Sequence, residues 1–183
     1  MLLVRLRGGV TRAWCAVPGV AAVWVVVALV APPWWWVGVP LALGWLGVLL
    51  TITDLAQRRL PDVLTVPAYP VGAALLTVAA SGSDDGGLAL RGVLGAALWA
   101  GGYAAVRLVA PAALGGGDVK LAGPLGALTA AVSWSGLLLA VLAATVITAL
   151  LAAVAALFGH RDVAHGPAML GAAWLVVLLS APT

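Results

Sequence analysis

Charged residues are scarce in this chain. Asp, Glu, Lys and Arg together make up only 8% of its 183 residues, and glutamate is absent. A soluble domain carries roughly 25% charged residues, so this chain has too few to cover a surface that faces water. Because 64% of its residues are hydrophobic, we expect the lipid bilayer to be its main solvent.

Cysteine and histidine are also scarce, and this excludes several kinds of site. The single cysteine, Cys15, cannot form an intrachain disulfide or a paired-cysteine metal motif. With only His160 and His165 and no glutamate, the chain has no zinc-protease motif of the HExxH type. The nine basic residues are scattered along loops, which is typical of membrane topology rather than of nucleic-acid binding. We therefore expect no metal, no other cofactor and no nucleic-acid partner.

Long apolar runs, by contrast, are abundant. Stretches such as AVWVVVALV (22–30) are apolar on every side and lack the alternation of a barrel strand, so they predict helices. A span needs about 20 residues, which places predicted spans at 14–31, 35–53, 63–80, 88–110, two within 119–158, and 168–181. The predicted fold class is therefore all-α: a polytopic membrane helix bundle of about seven transmembrane helices, within a range of six to eight. Residues 1–183 are expected to form a single integral membrane domain.

Local signals refine these spans. Pro67 and Pro70 predict a kink in the third span, and the segment SWSG (133–136) predicts a tight turn between the fifth and sixth. The arginines before the first span are also typical of a signal peptide. That span ends in PPWWW, however, which indicates an aromatic interface belt and favours an uncleaved span.

The distribution of basic residues predicts the orientation. With the N-terminus in the cytoplasm, eight of the nine basic residues fall at or near the cytoplasmic side, and Arg91 alone falls near the outer side. The same topology places Asp54 and Asp118 at the cytoplasmic ends of their spans, at similar depth. We expect a multi-pass protein of a bacterial or archaeal cell (inner) membrane.

Asp54 and Asp118 are the candidate functional residues, because a carboxylate at membrane depth is costly. Asp54 has a simpler explanation, pairing with Arg58 one helical turn later, and Asp118 has one as a solvated loop residue. The glycines 115–117 before Asp118 weaken that explanation, since they allow close backbone approach at a helix start. Two such carboxylates side by side would share one proton, the chemistry of aspartic proteases.

Two motifs resemble the type IV prepilin peptidase family of membrane aspartic proteases. GGGDVK (115–120) resembles that family's GxGDxK signature, and DLAQRRLPD (54–62) resembles its first catalytic motif, which ends in a Pro–Asn element. Here Asp62 stands where the family often has Asn. A later segment, HGPAMLGAA (165–173), is more weakly similar to a conserved FGP-type segment of the family. The resemblance runs from about residue 40 to the end of the sequence.

The resemblance implies an aspartic endopeptidase that cleaves the basic leader of type IV pilin-like precursors at the cytoplasmic membrane face. Its catalytic residues would be Asp54 and Asp118, and Asp62 is not assigned that role. The supporting motif residues would be Gly115, Gly116, Gly117, Lys120 and Pro61. The implied partners are prepilin or pseudopilin substrates and membrane lipids. The paired CxxC motifs of the long bifunctional enzymes are missing, so the chain resembles the short peptidase-only form, without an N-methyltransferase or zinc-binding insert.

Other interpretations remain open. The carboxylates could form the proton relay of a small proton-coupled transporter, although such acids would more naturally lie near mid-span. The chain could also be a non-catalytic subunit of a secretion assembly. Lys120 could tune the aspartates, meet lipid phosphate or set topology. The segment from His160 to His165 is expected to be a solvated connector.

Overall fold

The chain is all-helical over the residues that its structure, a computed structural model, describes: 16–57, 60–111, 114–159 and 163–182. These ranges contain eight helical segments and no strand: α1 (Ala16–Val30), α2 (Gly38–Gln57), α3 (Asp62–Thr65), α4 (Ala68–Gly82), α5 (Leu88–Val109), α6 (Gly116–Val132), α7 (Trp134–Leu157) and α8 (Gly166–Leu179). The predicted all-α bundle is confirmed. The predictions that concern Cys15, the first three arginines, Arg58, Arg59 and residues 160–162 lie outside the described residues.

Proline interrupts the third predicted span. The helical segments α3 and α4 are separated at Val66 and Pro67. Proline has no N–H, so Pro67 cannot donate to the carbonyl of Val63 and the helix ladder breaks there. Pro70 lies in the first turn of α4, where a missing N–H leaves no helical bond unmade. Asp62, at the start of α3, and Leu60 follow the end of α2 within five residues of the chain.

The predicted turn between the fifth and sixth spans lies at Ser133. Its backbone is extended (φ −172°, ψ 163°), which ends α6 and starts α7. The Ser133 hydroxyl oxygen accepts the N–H of Gly136 at 2.9 Å and so caps the new helix. One residue is therefore enough to divide a 40-residue apolar stretch into two helices.

Helix α6 lies at the centre of the bundle. It packs against α3, α4, α5, α7 and α8, and nearly every residue from Leu121 to Val132 is buried. Large apolar side chains point outward from the other helices, among them Val93, Leu98, Leu138, Leu142 and Leu150. Small residues inside and large apolar residues outside are the pattern of a bundle surrounded by lipid. The chain is a membrane protein.

Four stretches of the described chain are long and apolar enough to cross a bilayer. They are Gly38–Leu55, Asp62–Gly82, Leu88–Val109 and Trp134–Leu157. The apolar helices α1 and α8 are shorter, and α8 packs against α1, α2, α6 and α7. The end of the bundle that holds the α2 C-terminus also holds the α6 and α8 N-termini, because these helices run in alternating directions.

Two glycines let α5 and α6 approach each other closely. A Cβ on Gly95 would overlap the Cβ of Ala130 and the carbonyl oxygen of Gly126, and a Cβ on Gly126 would overlap the carbonyl oxygen of Gly95. Membrane helices have no hydrophobic force between them and depend on such close packing. This contact fixes the C-terminal half of α6 against α5.

Gly95→Ala is therefore expected to lower the free energy of unfolding by about 1–3 kcal/mol, the usual cost of overpacking. Gly101→Ala, on the same helix, is the matched control because no atom lies within 4 Å of its added methyl group. It should be neutral or slightly stabilising, since alanine favours a helix more than glycine does. Unfolding of the purified protein in mixed detergent micelles measures both. Equal effects of the two substitutions would contradict the assignment.

Arg91 is the one basic residue that the expected topology places near the outer side. Its charge is neutralised at the end of the bundle that holds the C-terminus of α6. Its guanidinium forms an ion pair with Asp85. It also donates to the carbonyl oxygens of Ala130 (3.1 Å) and Ala131 (2.7 Å). Those carbonyls belong to the last turn of α6, where a positive charge is favourable. Arg91 thus ties the start of α5 to the end of α6.

Asp85→Asn is expected to lower thermal stability at neutral pH. The hydrogen bond from Arg91 holds the pKa of the Asp85 carboxyl below its ordinary value of 3.8. A lowered pKa stabilises the fold above 3.8, and this contribution is lost as the pH falls through the folded-state value. The difference in melting temperature between wild type and variant should therefore shrink in acid. Asp84→Asn, at the exposed neighbouring acid, is the control, and a variant at residue 85 that melts like wild type at neutral pH would refute the contribution.

Candidate active site

Asp54 lies near the C-terminus of α2 with only 7% of its surface exposed. A negative charge at that end of a helix is opposed by the helix dipole, so α2 does not stabilise it. The stabilisation comes from another helix: Gly166, the first residue of α8, lies against the Asp54 carboxylate, and its backbone N–H favours the negative charge. Asp54 is therefore held against the positive end of α8.

Asp118 is the third residue of α6 and is partly buried. Its carboxylate turns back toward Gly115, the N-cap residue of the same helix, whose N–H favours the negative charge. The arrangement is similar to the reach-back half of a capping box, in which the side chain at the third helical position approaches the N-cap N–H. A Cβ on Gly115 would lie 2.9 Å from Asp118 Oδ2, so the contact needs a glycine or a displaced carboxylate.

The two aspartates line one cavity of about 650 Å³ at this end of the bundle. The charge of Asp118 acts directly on Asp54. The lining residues are Asp54, Leu60, Asp62, Arg107, Gly115, Gly116, Gly117, Asp118, Val119 and Lys120. All the expected catalytic and supporting motif residues line this cavity except Pro61. The carbonyl of Pro61 accepts the N–H groups of Leu64 and Thr65 and so starts α3.

Lys120 pairs with the third carboxylate of the cavity. Its Nζ lies 2.7 Å from Asp62 Oδ1, and both side chains are largely exposed. An exposed ion pair of this kind adds little stability. The pair does show where the Lys120 amine points: toward Asp62, at the exposed edge of the cavity. The sequence alone does not reveal this pairing, because the two residues are 58 positions apart.

The backbone of Lys120 is tied to α4. Pro124 has no N–H, so the carbonyl of Lys120 lacks its usual partner in α6. The hydroxyl of Tyr69 donates to that carbonyl at 2.8 Å. Gly123 makes room for the tyrosine ring, because a Cβ there would overlap it. The start of α6, and Asp118 with it, is thus fixed against α4.

Arg107 and Leu60 are further cavity residues; Leu60 is the hydrophobic residue before Pro61 in the first motif, and neither was predicted to line the site. The Arg107 guanidinium packs over Gly116 and donates to the carbonyl of Leu114 at 2.6 Å. Leu60 packs between two glycines: a Cβ on Gly117 would lie 2.7 Å from its Cβ, and one on Gly166 would lie 3.4 Å from its Cδ2. Leucine and arginine carry no motif of their own, so only the fold places them here.

His165 is not part of a solvated connector, and that expectation is wrong for this residue. It is partly buried, and both ring nitrogens have partners: Nε2 lies 2.8 Å from the hydroxyl of Tyr103 and Nδ1 lies 2.6 Å from that of Thr148. Burial lowers the pKa of the imidazole, and the charge of Asp54 opposes this. The contacts with α5 and α7 replace the expected water.

The described residues contain no group of three or more His, Cys, Asp or Glu side chains that could hold a metal ion. The chemistry available in the cavity is that of two neighbouring carboxylates, one of them buried.

The fold and the cavity define a polytopic helical membrane protein with two aspartates at one end of the bundle. A model of the type IV leader peptidase family matches residues 41–153. The match covers more than half of the chain and includes both aspartates, so the chain belongs to that family. It is a membrane peptidase of the leader-peptidase kind, and the family implies pilin-type precursors as the general class of substrate. Neither the curated proteins nor the solved structures gave a significant match.

Proposed function

We propose that the protein is an aspartic endopeptidase that removes the basic leader from type IV pilin-like precursors, with Asp54 and Asp118 as its catalytic residues. The observation that carries the proposal is that these two side chains, from α2 and α6, line one cavity and interact through their charges. Two isolated membrane carboxylates without a shared task would gain nothing from being neighbours, because like charges repel.

The reaction needs only these two groups and water. The ionised aspartate takes a proton from a water molecule, whose oxygen attacks the peptide carbonyl, while the neutral aspartate donates its proton to the carbonyl oxygen. When the C–N bond breaks, the aspartate that took the water proton gives it to the leaving nitrogen. The other aspartate takes the proton of an intermediate hydroxyl as the carboxyl product forms, so the pair again holds one proton. Either aspartate can fill either role.

The position of the cavity supports cleavage at the membrane surface. It lies where α2 ends and where α3 and α6 begin, so a substrate helix in the bilayer would present its emerging end there. We assign this end to the cytoplasmic face, with the N-terminus of the chain also in the cytoplasm, on the distribution of basic residues. An uncleaved leader, being basic, would remain on the same side.

Co-expression with a candidate precursor tests the function. The precursor should carry a short basic leader before an apolar helix, and its shift to a smaller size should require the peptidase. Purified components in proteoliposomes should reproduce the shift. Solute or proton flux without proteolysis would instead identify a transporter, and neither activity would point to an assembly subunit.

A further inference from the structure

His165 ends the α7–α8 connection directly before the residue that contacts Asp54. It is the N-cap of α8, and its carbonyl accepts the N–H groups of Ala168 (3.1 Å) and Met169 (3.2 Å). Its side chain does not cap the helix. It reaches instead to Tyr103 on α5 and Thr148 on α7, so one residue joins three helices beside the cavity.

The contacts of Thr148 determine which ring nitrogen carries the proton. Its hydroxyl oxygen lies 2.8 Å from the carbonyl oxygen of Ala144 and 2.6 Å from Nδ1 of His165. Each contact needs a proton, and a carbonyl has none to give. The hydroxyl has one, which satisfies Ala144, so the second must be the N–H of Nδ1.

The second ring nitrogen then completes the assignment. A neutral imidazole with its proton on Nδ1 has a bare Nε2, which accepts the hydroxyl proton of Tyr103 at 2.8 Å. Burial favours this neutral form by lowering the imidazole pKa. All three groups, Tyr103, His165 and Thr148, are thereby satisfied in one arrangement.

The next residue along the chain transmits this arrangement to Asp54. Gly166 lies against the Asp54 carboxylate, because a Cβ there would lie only 2.8 Å from Oδ2, and its N–H favours the charge of that carboxylate. A small rotation of the chain at residue 165 would therefore move this N–H away from the carboxylate. The charge of Asp118 in turn acts on Tyr103 and that of Asp54 on His165, so the anchor lies within electrostatic range of both aspartates.

We propose that His165 is a positioning residue: as a neutral imidazole protonated on Nδ1, it ties the start of α8 to Tyr103 and Thr148 and so holds Gly166 against Asp54. The proposal rests on the peptidase function proposed above. It assigns a role to a side chain that stands where the resembling family segment has phenylalanine, which could make neither hydrogen bond.

Kinetics of the purified enzyme on a leader-bearing precursor give the first test. His165→Phe keeps a ring but removes both hydrogen bonds, and kcat should fall between about 10-fold and about 100-fold, the latter being the cost of an ångström of misplacement. KM should change less than twofold, because substrate contacts are untouched. His165→Asn, which can still donate to Thr148, should recover part of the loss. A wild-type kcat in His165→Phe would overturn the proposal.

If His165→Phe does not fold, two less disruptive substitutions test the same positioning role. Tyr103→Phe and Thr148→Val each remove one hydroxyl, and each should lower kcat at constant KM. Thr77→Val is the control, because that hydroxyl bonds only the carbonyl of Ala73 in its own helix. If both variants match the Thr77→Val control, the anchor has no role.

A spectroscopic test is independent of peptidase activity. The chain has two histidines, and ¹⁵N spectra of imidazole-labelled wild type and His165→Phe identify the His165 signals by difference. We expect a neutral ring with the proton on Nδ1, and a charged ring or a proton on Nε2 would overturn the proposal. A wild-type protein that shows this tautomer but cleaves no precursor would refute the function alone.

Discussion

Asp118→Asn is expected to abolish leader cleavage while leaving the protein folded in the membrane. Asparagine keeps the shape of the side chain, and its carbonyl oxygen can still lie close to the Gly115 N–H at the start of α6. It cannot ionise and carries no proton to transfer. The rate should therefore fall by roughly 10⁴-fold or more, as when one member of a catalytic unit is removed. Asp54→Asn should do the same, and single-turnover cleavage of a purified precursor measures both.

The matched control is Asp62→Asn, which changes the third carboxylate of the same cavity. Asp62 is exposed and paired with Lys120, so its replacement should leave cleavage within a few-fold of wild type. The double variant at residues 54 and 118 should be no slower than either single variant, because groups that act as a unit are not additive. Full cleavage by either single variant would refute the aspartic mechanism.

The helices could be predicted from the sequence because hydropathy acts locally. Predicted spans of 14–31 and 88–110 correspond to α1 (Ala16–Val30) and α5 (Leu88–Val109). The division of 119–158 at Ser133 follows from its hydroxyl cap. The second span was ended at residue 53, before Asp54, whereas α2 continues to Gln57. Hydropathy shows only where the apolar residues stop. Helix α2 continues past that point because its backbone hydrogen bonds do not depend on the polarity of the side chains.

The aspartate pair could be predicted from the energetic cost of a carboxylate in the membrane together with the topology of the spans. Each carboxylate is expensive in a membrane, and alternating spans bring both to one end of the bundle. The partners of the pair could not be predicted in this way. Gly166 is a glycine among 23, and its contact with Asp54 depends on how α8 packs against α2. Lys120 and Asp62 meet for the same reason, through the packing of α3 on α6.

His165 shows most clearly where local reasoning ends. Between two apolar helices, a polar segment with two histidines is typical of a solvated loop, and nothing in its own sequence argues otherwise. The partners that exclude water, Tyr103 and Thr148, lie on α5 and α7. Each of them alone is a common helix residue. Only the packed structure reveals that three ordinary residues form one hydrogen-bonded chain.

Gly166→Ala is expected to lower kcat by about 100-fold, because a small displacement of a catalytic group is enough for such a loss. The added methyl carbon would lie 2.8 Å from Asp54 Oδ2 and 3.4 Å from Leu60 Cδ2, so it would meet both sides of the cavity. The Asp54 carboxylate can avoid the methyl group only by moving into the cavity, away from its place beside the α8 N-terminus. Precursor cleavage by the purified variant, with its melting temperature, measures the effect.

Gly171→Ala provides the control on the same helix. No atom lies within 4 Å of its added methyl group, so it changes helix propensity without touching Asp54. It should cleave like wild type and melt at the same temperature or slightly higher. If Gly166→Ala also cleaves like wild type, Asp54 tolerates displacement from the N-terminus of α8. The close fit of α8 against Asp54 would then contribute to packing and not to catalysis.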